Sequence, residues 1–292
     1  MAVQTFKHPD EIVRALEQYS YVTDDELATA LFLLLTLQKP LLLEGPPGVG
    51  KTETALVLSR LLDTELIRLQ CYEGLDVNAA VYEWNYQKQL LSIKMQEGNN
   101  LSLAEKEKHI FSHDYLLHRP LLQSIMAEWK APVLLIDELD RSDEEFEAYL
   151  LELLSAFQIS IPEMGTLKAT HKPYVILTSN RTRELSDALK RRCLYHWIDY
   201  PELSKEMDIV KRRLPGIESQ LLEQVVAVVQ KFRTLKLSKT PGVSETIDWA
   251  ESLMALGYRE VSAAAFEQTL GSILKSAEDI RYVKSEGVGT FS

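Results

Sequence analysis

The chain has 292 residues, of which 46% are hydrophobic and 26% are charged. This composition is typical of a folded protein of about two domains, and it excludes disorder over most of the chain. The formal net charge of -11 argues against broad binding to nucleic acid, because such binding depends on many contacts between basic side chains and phosphates.

Two further features predict a cytoplasmic protein that does not insert into a membrane. Cys71 and Cys193 lie far apart in the sequence, which is no disulfide framework and suits a reducing compartment. The N-terminal segment has no long apolar stretch of the kind found in signal peptides. The richest apolar run, Ala30 to Leu37, is too short to span a bilayer.

Strand and helix signals alternate in the first part of the chain. Residues 24–37 show helical spacing of apolar residues, and Thr23 with Glu26 has the spacing of a capping box. A short apolar run at 41–43 predicts a buried strand, which is followed by a Gly/Pro-rich turn, a helix at 51–62 and a strand at 65–70. This β–α–β order predicts an α/β fold with a parallel sheet.

Further strands are predicted downstream, and β signals then stop. The capping-box spacing of Ser142 and Glu145 opens a predicted helix, and 159–170 has the pattern of a hairpin. The remaining strands of the sheet are predicted at 133–136, 174–178 and 195–199. Because only helical signals follow Pro201, we expect two domains, at 1–201 and 202–292.

A glycine-rich motif lies between the first predicted strand and the helix that follows it. It fits the phosphate-loop pattern G-x-x-x-x-G-K-[ST] and consists of Gly45, Pro46, Pro47, Gly48, Val49, Gly50, Lys51 and Thr52. In this motif glycines allow backbone N–H groups to surround phosphates, the lysine reaches the β- and γ-phosphates, and the Thr hydroxyl binds Mg²⁺. The motif therefore predicts binding of ATP with Mg²⁺.

The apolar strand at 133–136 ends in two carboxylates, Asp137 and Glu138. After a phosphate loop, this pattern is typical of a Walker B motif. Asp137 is predicted to hold Mg²⁺, and Glu138 to polarise the attacking water.

Together these motifs resemble those of the AAA+ superfamily of ATPases. The resemblance implies that Asn180, at the end of the strand at 174–178, acts as the sensor 1 residue near the γ-phosphate. It also implies that Arg192 or Arg191 is an arginine finger that reaches the ATP of a neighbouring subunit. Arg192 is the first choice from sequence because it lies closer to the next strand.

The resemblance to AAA+ proteins also carries expectations about architecture and partners. It implies a P-loop core with a five-stranded parallel sheet, an insertion around 74–114, and a small all-helical lid. It further implies a ring of subunits, usually six. A carboxylate at Glu245 and a hydroxyl at Thr246 stand where many AAA+ lids carry a sensor 2 arginine, with Lys239 or Arg233 as possible substitutes.

Three segments resemble the MoxR branch of AAA+ proteins and, within it, the ATPases that help mature carbon monoxide dehydrogenase. These segments are 82–86, 185–201 and 243–250. The resemblance implies an ATP-driven chaperone of a protein client, with a von Willebrand A domain protein as a further partner. A nucleotide-gated binding module with little turnover is the main alternative. A clamp-loader-like or helicase-like ATPase is disfavoured by the acidic charge.

Overall fold

The computed structural model describes residues 6–95 and 102–286 of the chain. The chain divides into two compact units that are not continuous in sequence. The first unit contains Thr29–Glu44 and Leu58–His196. The second contains Phe6–Ala28, Gly45–Val57 and the chain from Trp197 onward, so the phosphate-loop segment groups with the C-terminal helices.

Nine strands form three sheets in the described part of the chain. The strands are β1 (Leu41–Glu44), β2 (Leu66–Gln70), β3 (Tyr82–Trp84), β4 (Leu116–His118), β5 (Val133–Asp137), β6 (Gln158–Ile161), β7 (Gly165–Lys168), β8 (Tyr174–Ser179) and β9 (Leu194–Trp197). The main sheet has the order β2-β5-β8-β1-β9, and the predicted five-stranded parallel sheet is confirmed. The pairs β3–β4 and β6–β7 are antiparallel, and the latter is the predicted hairpin.

Helices precede, connect and follow these strands along the chain. They are α1 (Pro9–Glu17), α2 (Asp25–Leu37), α3 (Lys51–Leu61), α4 (Val77–Ala80), α5 (Tyr86–Met95), α6 (Leu103–Ile110), α7 (Pro120–Ile125), α8 (Glu144–Ala156), α9 (Asp187–Lys190), α10 (Leu203–Arg213), α11 (Ser219–Thr234), α12 (Val243–Ala255), α13 (Ala263–Ile273) and α14 (Ala277–Glu286). Short 3₁₀ turns lie at His113–Tyr115 and Leu139–Arg141.

The core of the first unit is the apolar sheet and the helices packed on it. Every residue of β1, β5 and β8 is buried, which explains why these strands are continuous apolar runs and not alternating ones. The predicted insertion around 74–114 contains α4, β3, α5 and α6, and its residues 96–101 lie outside the described part of the chain.

The cap positions predicted for α2 and α8 are each wrong by one residue. The carboxylate of Asp24 accepts the N–H of Leu27 at 2.8 Å, and the carboxylate of Asp143 accepts the N–H of Phe146 at 2.8 Å. The Ser142 hydroxyl donates instead to the Leu139 carbonyl. An aspartate one position later is the better cap because its charge also interacts favourably with the helix dipole.

In the second unit, α10 to α14 pack around a cluster of buried aromatic side chains. The rings of Phe232, Trp249 and Phe266 contact one another with centroids 6.2–6.4 Å apart, and all three are buried. The indole N–H of Trp249 donates to the Thr269 hydroxyl at 2.7 Å, so the one polar atom of this ring system is satisfied.

Candidate functional site

Three strands of the first unit end side by side at one edge of the main sheet. Glu44 at the end of β1 lies opposite Ser179 at the end of β8, and Leu177 of β8 lies opposite Ile136 of β5. Asp137 therefore stands next to Thr178. Because the strands are parallel, this carboxyl edge also marks the points where the chain leaves β1 for the phosphate loop and leaves β8 for Asn180.

The carboxylate of Asp137 is buried and already faces a cation. Its Oδ1 accepts a hydrogen bond from the Thr178 hydroxyl at 2.6 Å, and its Oδ2 forms an ion pair with Arg68 at 2.6 Å. Carboxylate oxygens are among the ligands that Mg²⁺ prefers, and Asp137 presents such oxygens at this edge. The half-exposed Arg68 side chain shows that the environment of Asp137 stabilises a positive charge beside this carboxylate.

Glu138 has a different environment from its neighbour. Its backbone adopts the left-handed conformation, with φ 54° and ψ 48°, which is strained for a residue other than glycine. Its N–H donates to the Thr178 hydroxyl at 2.9 Å, and its side chain remains partly exposed near Arg141. The turn thus keeps the Asp137 carboxylate against the sheet and leaves the Glu138 carboxylate accessible to solvent.

Thr178 is a site residue that sequence reasoning missed. Its hydroxyl donates to Asp137 and accepts from the Glu138 N–H, so one side chain orients both members of the acidic pair. The available signal was a hydroxyl inside an otherwise apolar, fully buried strand, because such a group needs hydrogen-bond partners. The partners themselves depend on strand order and could not be deduced from the sequence.

Asn180 begins the segment that follows β8. Its backbone N–H donates to the carboxylate of Asp140 at 3.1 Å. Its carboxamide is half-buried and makes no hydrogen bond within the described residues, so it is available to a ligand. The structure therefore places Asn180 at the same edge of the sheet as Asp137 and Glu138.

The phosphate loop shows the backbone conformation that its glycines permit. Gly50 has a φ of +94°, a conformation that residues other than glycine rarely adopt. It directly precedes Lys51, the first residue of α3. The Lys51 side chain is buried, and its ammonium donates to the carbonyls of Gly45 at 2.7 Å and Pro46 at 2.6 Å. The Lys51 side chain thus lies along the phosphate loop and is hydrogen-bonded to its first residues.

The N-terminus of α12 contacts the phosphate loop within the second unit. The N–H groups of Val243 and Ser244 donate to the Gly48 carbonyl at 2.9 and 3.3 Å. Gly48 has a φ of +76°, and a Cβ atom there would lie 3.0 Å from the Cα atom of Gly242, so the backbone conformation and the close approach of the two chain segments both favour glycine. Glu245 is held within its own helix turn, since its carboxylate accepts the Gly242 N–H at 2.9 Å.

Arg233, one of the two basic residues considered as a sensor 2 substitute, is fully engaged elsewhere. It forms a two-pronged contact with the buried Glu206 at 2.6 and 2.7 Å. Thr246 also donates to Glu206, at 2.7 Å. Arg233 and Thr246 therefore hold α10, α11 and α12 together, because a buried carboxylate needs such partners.

Arg191 and Arg192 lie near the amino-terminal ends of the parallel strands, whereas Asp137 lies at their carboxyl ends. The N–H of Leu194 donates to the carbonyl of Pro40, so the chain after Arg192 enters β9 beside the start of β1. The length of β1 separates this point from the carboxyl edge by about 13 Å, at roughly 3.3 Å per residue. Neither arginine is therefore placed to act on the carboxyl edge of its own sheet.

The two arginines differ in their contacts. The guanidinium of Arg192 donates to the Ser155 hydroxyl and to the Ala188 carbonyl, both at 2.6 Å. Arg191 is exposed, and although its backbone N–H donates to the Asp187 carbonyl, no hydrogen bond or ion pair within the described residues engages its guanidinium. The structure thus leaves Arg191 available to a partner and ties Arg192 to its own chain.

Comparison with known protein families identifies the family to which the chain belongs. Residues 40–193, more than half of the chain, match the AAA domain (dynein-related subfamily). The chain belongs to this family. The AAA domain match contains the phosphate loop, Asp137, Glu138, Asn180 and both candidate arginines, and it supports assignment as an ATP-binding P-loop protein.

Relatives of this AAA domain protein cover most of its length. An uncharacterized protein of Staphylococcus aureus (strain bovine RF122 / ET3-1) is 28% identical over 262 residues, covering 88% of this chain and 84% of the relative. One of Staphylococcus haemolyticus (strain JCSC1435) is 27% identical over 246 residues, covering 81% and 82%. The solved structure of a point mutant of Thermotoga maritima RuvB shares the fold, with a TM-score of 0.50, 17% identity, and coverage of 91% of this chain and 72% of that one.

Within residues 6–95 and 102–286, no helix combines the length and the apolar character that are needed to cross a membrane.

Proposed function

We propose that this protein hydrolyses ATP with Mg²⁺. The observation that carries the proposal is the Thr178 hydroxyl, which fixes Asp137 and Glu138 in two different environments at the carboxyl edge of the sheet. One carboxylate is suited to a cation and the other to a water molecule. Family membership supports the proposal, because AAA domains are P-loop nucleotide-binding units.

Each proposed site residue has one task. Lys51 and the N–H groups of residues 45–52 bind the phosphates, as expected at a glycine-rich loop that opens a helix. Thr52 and Asp137 hold Mg²⁺, which when bound withdraws negative charge from the phosphate oxygens. Glu138 orients the attacking water and accepts its proton, and Asn180 binds the γ-phosphate or that water through its carboxamide.

The experiment that tests this function is the variant Glu138→Gln. The introduced amide can still hydrogen-bond a water molecule but cannot accept its proton, so we expect turnover to fall roughly 10²-fold while ATP affinity is retained. Phosphate release and equilibrium ATP binding should be measured on the same preparation. Glu144→Gln, which changes an exposed carboxylate at the start of α8, removes the same charge and should behave as the unsubstituted protein. Retained turnover in Glu138→Gln would contradict the assignment of the base.

The finer function that we propose is that of a MoxR-type chaperone which works on a protein client as a ring, with six subunits as the expected number. Support comes from the three segments with MoxR resemblance and from apolar side chains that α5 of the insertion exposes, including Tyr86, Leu90, Leu91 and Met95. Maturation of a carbon monoxide dehydrogenase-like enzyme, with a von Willebrand A domain protein as partner, rests on the resemblance alone. In this proposal residues 1–201 form the nucleotide-binding core and 202–292 the lid.

A nucleotide-gated binding module with little turnover is the second candidate. One observation favours it: the α12 residues at the sensor 2 position are Glu245 and Thr246, and both are hydrogen-bonded within the second unit. Such a lid contacts the phosphate loop at Gly48, but it carries no arginine at the sensor 2 position that could contact a γ-phosphate. Tight ATP binding with negligible turnover, both alone and with its client, would favour this candidate.

A further inference from the structure

Asp140 is a buried carboxylate that connects two parts of the proposed site. It lies in the 3₁₀ turn directly after Glu138, and its side chain is shielded from solvent. Its Oδ1 accepts the N–H of Asn180 at 3.1 Å. Its Oδ2 accepts the N–H of Thr182 at 2.8 Å and the Thr182 hydroxyl at 2.7 Å.

This arrangement requires a carboxylate. Two backbone N–H groups approach two different oxygens of the same side chain, and only an ionised carboxyl group accepts on both sides. Burial alone would raise the pKa of Asp140, but the hydrogen bonds from Thr182 and Asn180 outweigh burial and lower the pKa below its ordinary value. The charged form is thus the one that the folded chain stabilises.

The segment bends around this carboxylate. Arg181, between the two N–H donors, adopts a φ of +61°, a conformation that residues other than glycine rarely hold without compensation. The far end of the segment is anchored separately, because Glu147 pairs with Arg183 at 2.5 Å and accepts the N–H of Ser186 at 2.9 Å. Asp140 therefore determines where the segment begins, at Asn180.

We propose that Asp140 is a positioning residue that fixes the carboxamide of Asn180 relative to Asp137 and Glu138. The inference rests on the proposed ATP hydrolysis. Asp140 itself is separated from the reacting groups by the residues it holds. Its effect is to keep the end of β8 and the turn after β5 at a fixed spacing, so that Asn180 and Glu138 address the same phosphate and water.

The test is the variant Asp140→Asn. An amide has one acceptor oxygen, so one of the two backbone N–H groups must face an N–H₂ group and the segment shifts. A displacement of about 1 Å can cost up to 10²-fold in rate, so we expect kcat to fall roughly tenfold to a hundredfold. The affinity for ATP should stay unchanged, because the phosphate loop is untouched.

The control is Thr182→Val, which removes the hydroxyl that donates to Asp140 but keeps the two backbone N–H groups that also donate to it. It should retain nearly the kcat of the unsubstituted protein. Asn180→Ala should lower kcat, and adding Asp140→Asn to it should have little further effect, because both changes remove the same interaction. Asp140→Glu, which keeps the charge but moves it by one methylene, serves as a second variant if Asp140→Asn does not fold.

The outcomes are distinct. A lower kcat with unchanged ATP affinity, and no added loss in the double variant, supports the inference. Unchanged kcat in a folded Asp140 variant, with only a lower melting temperature, would show a purely structural role and overturn it, as would losses that multiply in the double variant. Absence of turnover by the unsubstituted protein would overturn the proposed function, and this inference with it.

Discussion

Arg191→Ala is expected to lose ATP turnover by roughly 10³-fold or more, because an arginine finger stabilises the charge of the transition state. ATP binding by each subunit should remain, since Arg191 lies at the opposite edge of the sheet from Asp137 and Asn180. Steady-state phosphate release and ATP titration measure the two properties separately. Sequence order alone favours Arg192, whereas the contacts in the structure favour Arg191.

Arg192→Ala is the matched comparison for this prediction. It removes the same charge one residue away, but the lost contacts are those to Ser155 and Ala188 of its own chain. We expect a smaller loss of turnover than in Arg191→Ala, together with a lower melting temperature. The reverse order of the two losses would assign the finger to Arg192.

A mixing experiment tests whether Arg191 acts on a neighbouring subunit. Arg191→Ala subunits have an intact phosphate loop, and Lys51→Ala subunits retain Arg191, the proposed finger. Mixed rings would therefore contain some sites with every residue present, and turnover should reappear when two inactive preparations are combined. Mixtures that stay inactive, under conditions where unsubstituted subunits exchange, would contradict action between subunits.

Lys51→Ala is expected to bind ATP roughly 10²- to 10⁴-fold more weakly and to show no turnover. Hydrogen bonds to charged groups contribute about 1.5–3 kcal/mol each, and the loss of two such bonds to phosphate corresponds to about 3–6 kcal/mol. Titration with a fluorescent ATP analogue measures the affinity. The melting temperature without nucleotide shows whether the loss of the contacts to Gly45 and Pro46 also disturbs the loop.

Lys39→Ala is the charge-matched control for Lys51→Ala. Lys39 is exposed and lies just before β1, at the other end of the strand that leads into the phosphate loop. This control variant should bind ATP as the unsubstituted protein does. Equal ATP affinities in Lys51→Ala and Lys39→Ala would contradict the assignment of the phosphate loop as the ATP-binding element.

The strands of the main sheet could be predicted from sequence because β1, β5 and β8 are buried on both faces. Their apolar runs end at the polar residues Glu44, Asp137 and Thr178, so local composition marks both the strands and their carboxyl ends. The hairpin of β6 and β7 was equally local, since Gly165 marks its second strand. The predicted caps were wrong by one residue, because adjacent residues such as Ser142 and Asp143 can both cap the same helix end.

The polar contacts of the site could not be predicted, since each of them joins residues that are distant in sequence. Arg68 reaches Asp137, and Asp140 reaches Asn180, only because β2, β5 and β8 are neighbours in the sheet. The left-handed turn at Glu138 has no signature in the residue type. The engagement of Arg233 by Glu206 likewise depends on how the lid helices pack.

The measurement that tests the central claim most directly is ATP turnover per subunit, with and without Mg²⁺, over a wide range of protein concentration. We expect Mg²⁺-dependent turnover that rises steeply with concentration, because in the proposed ring Arg191 of a neighbouring subunit would complete each site. Tight ATP binding with no Mg²⁺-dependent turnover at any concentration would contradict it and would favour the nucleotide-gated module.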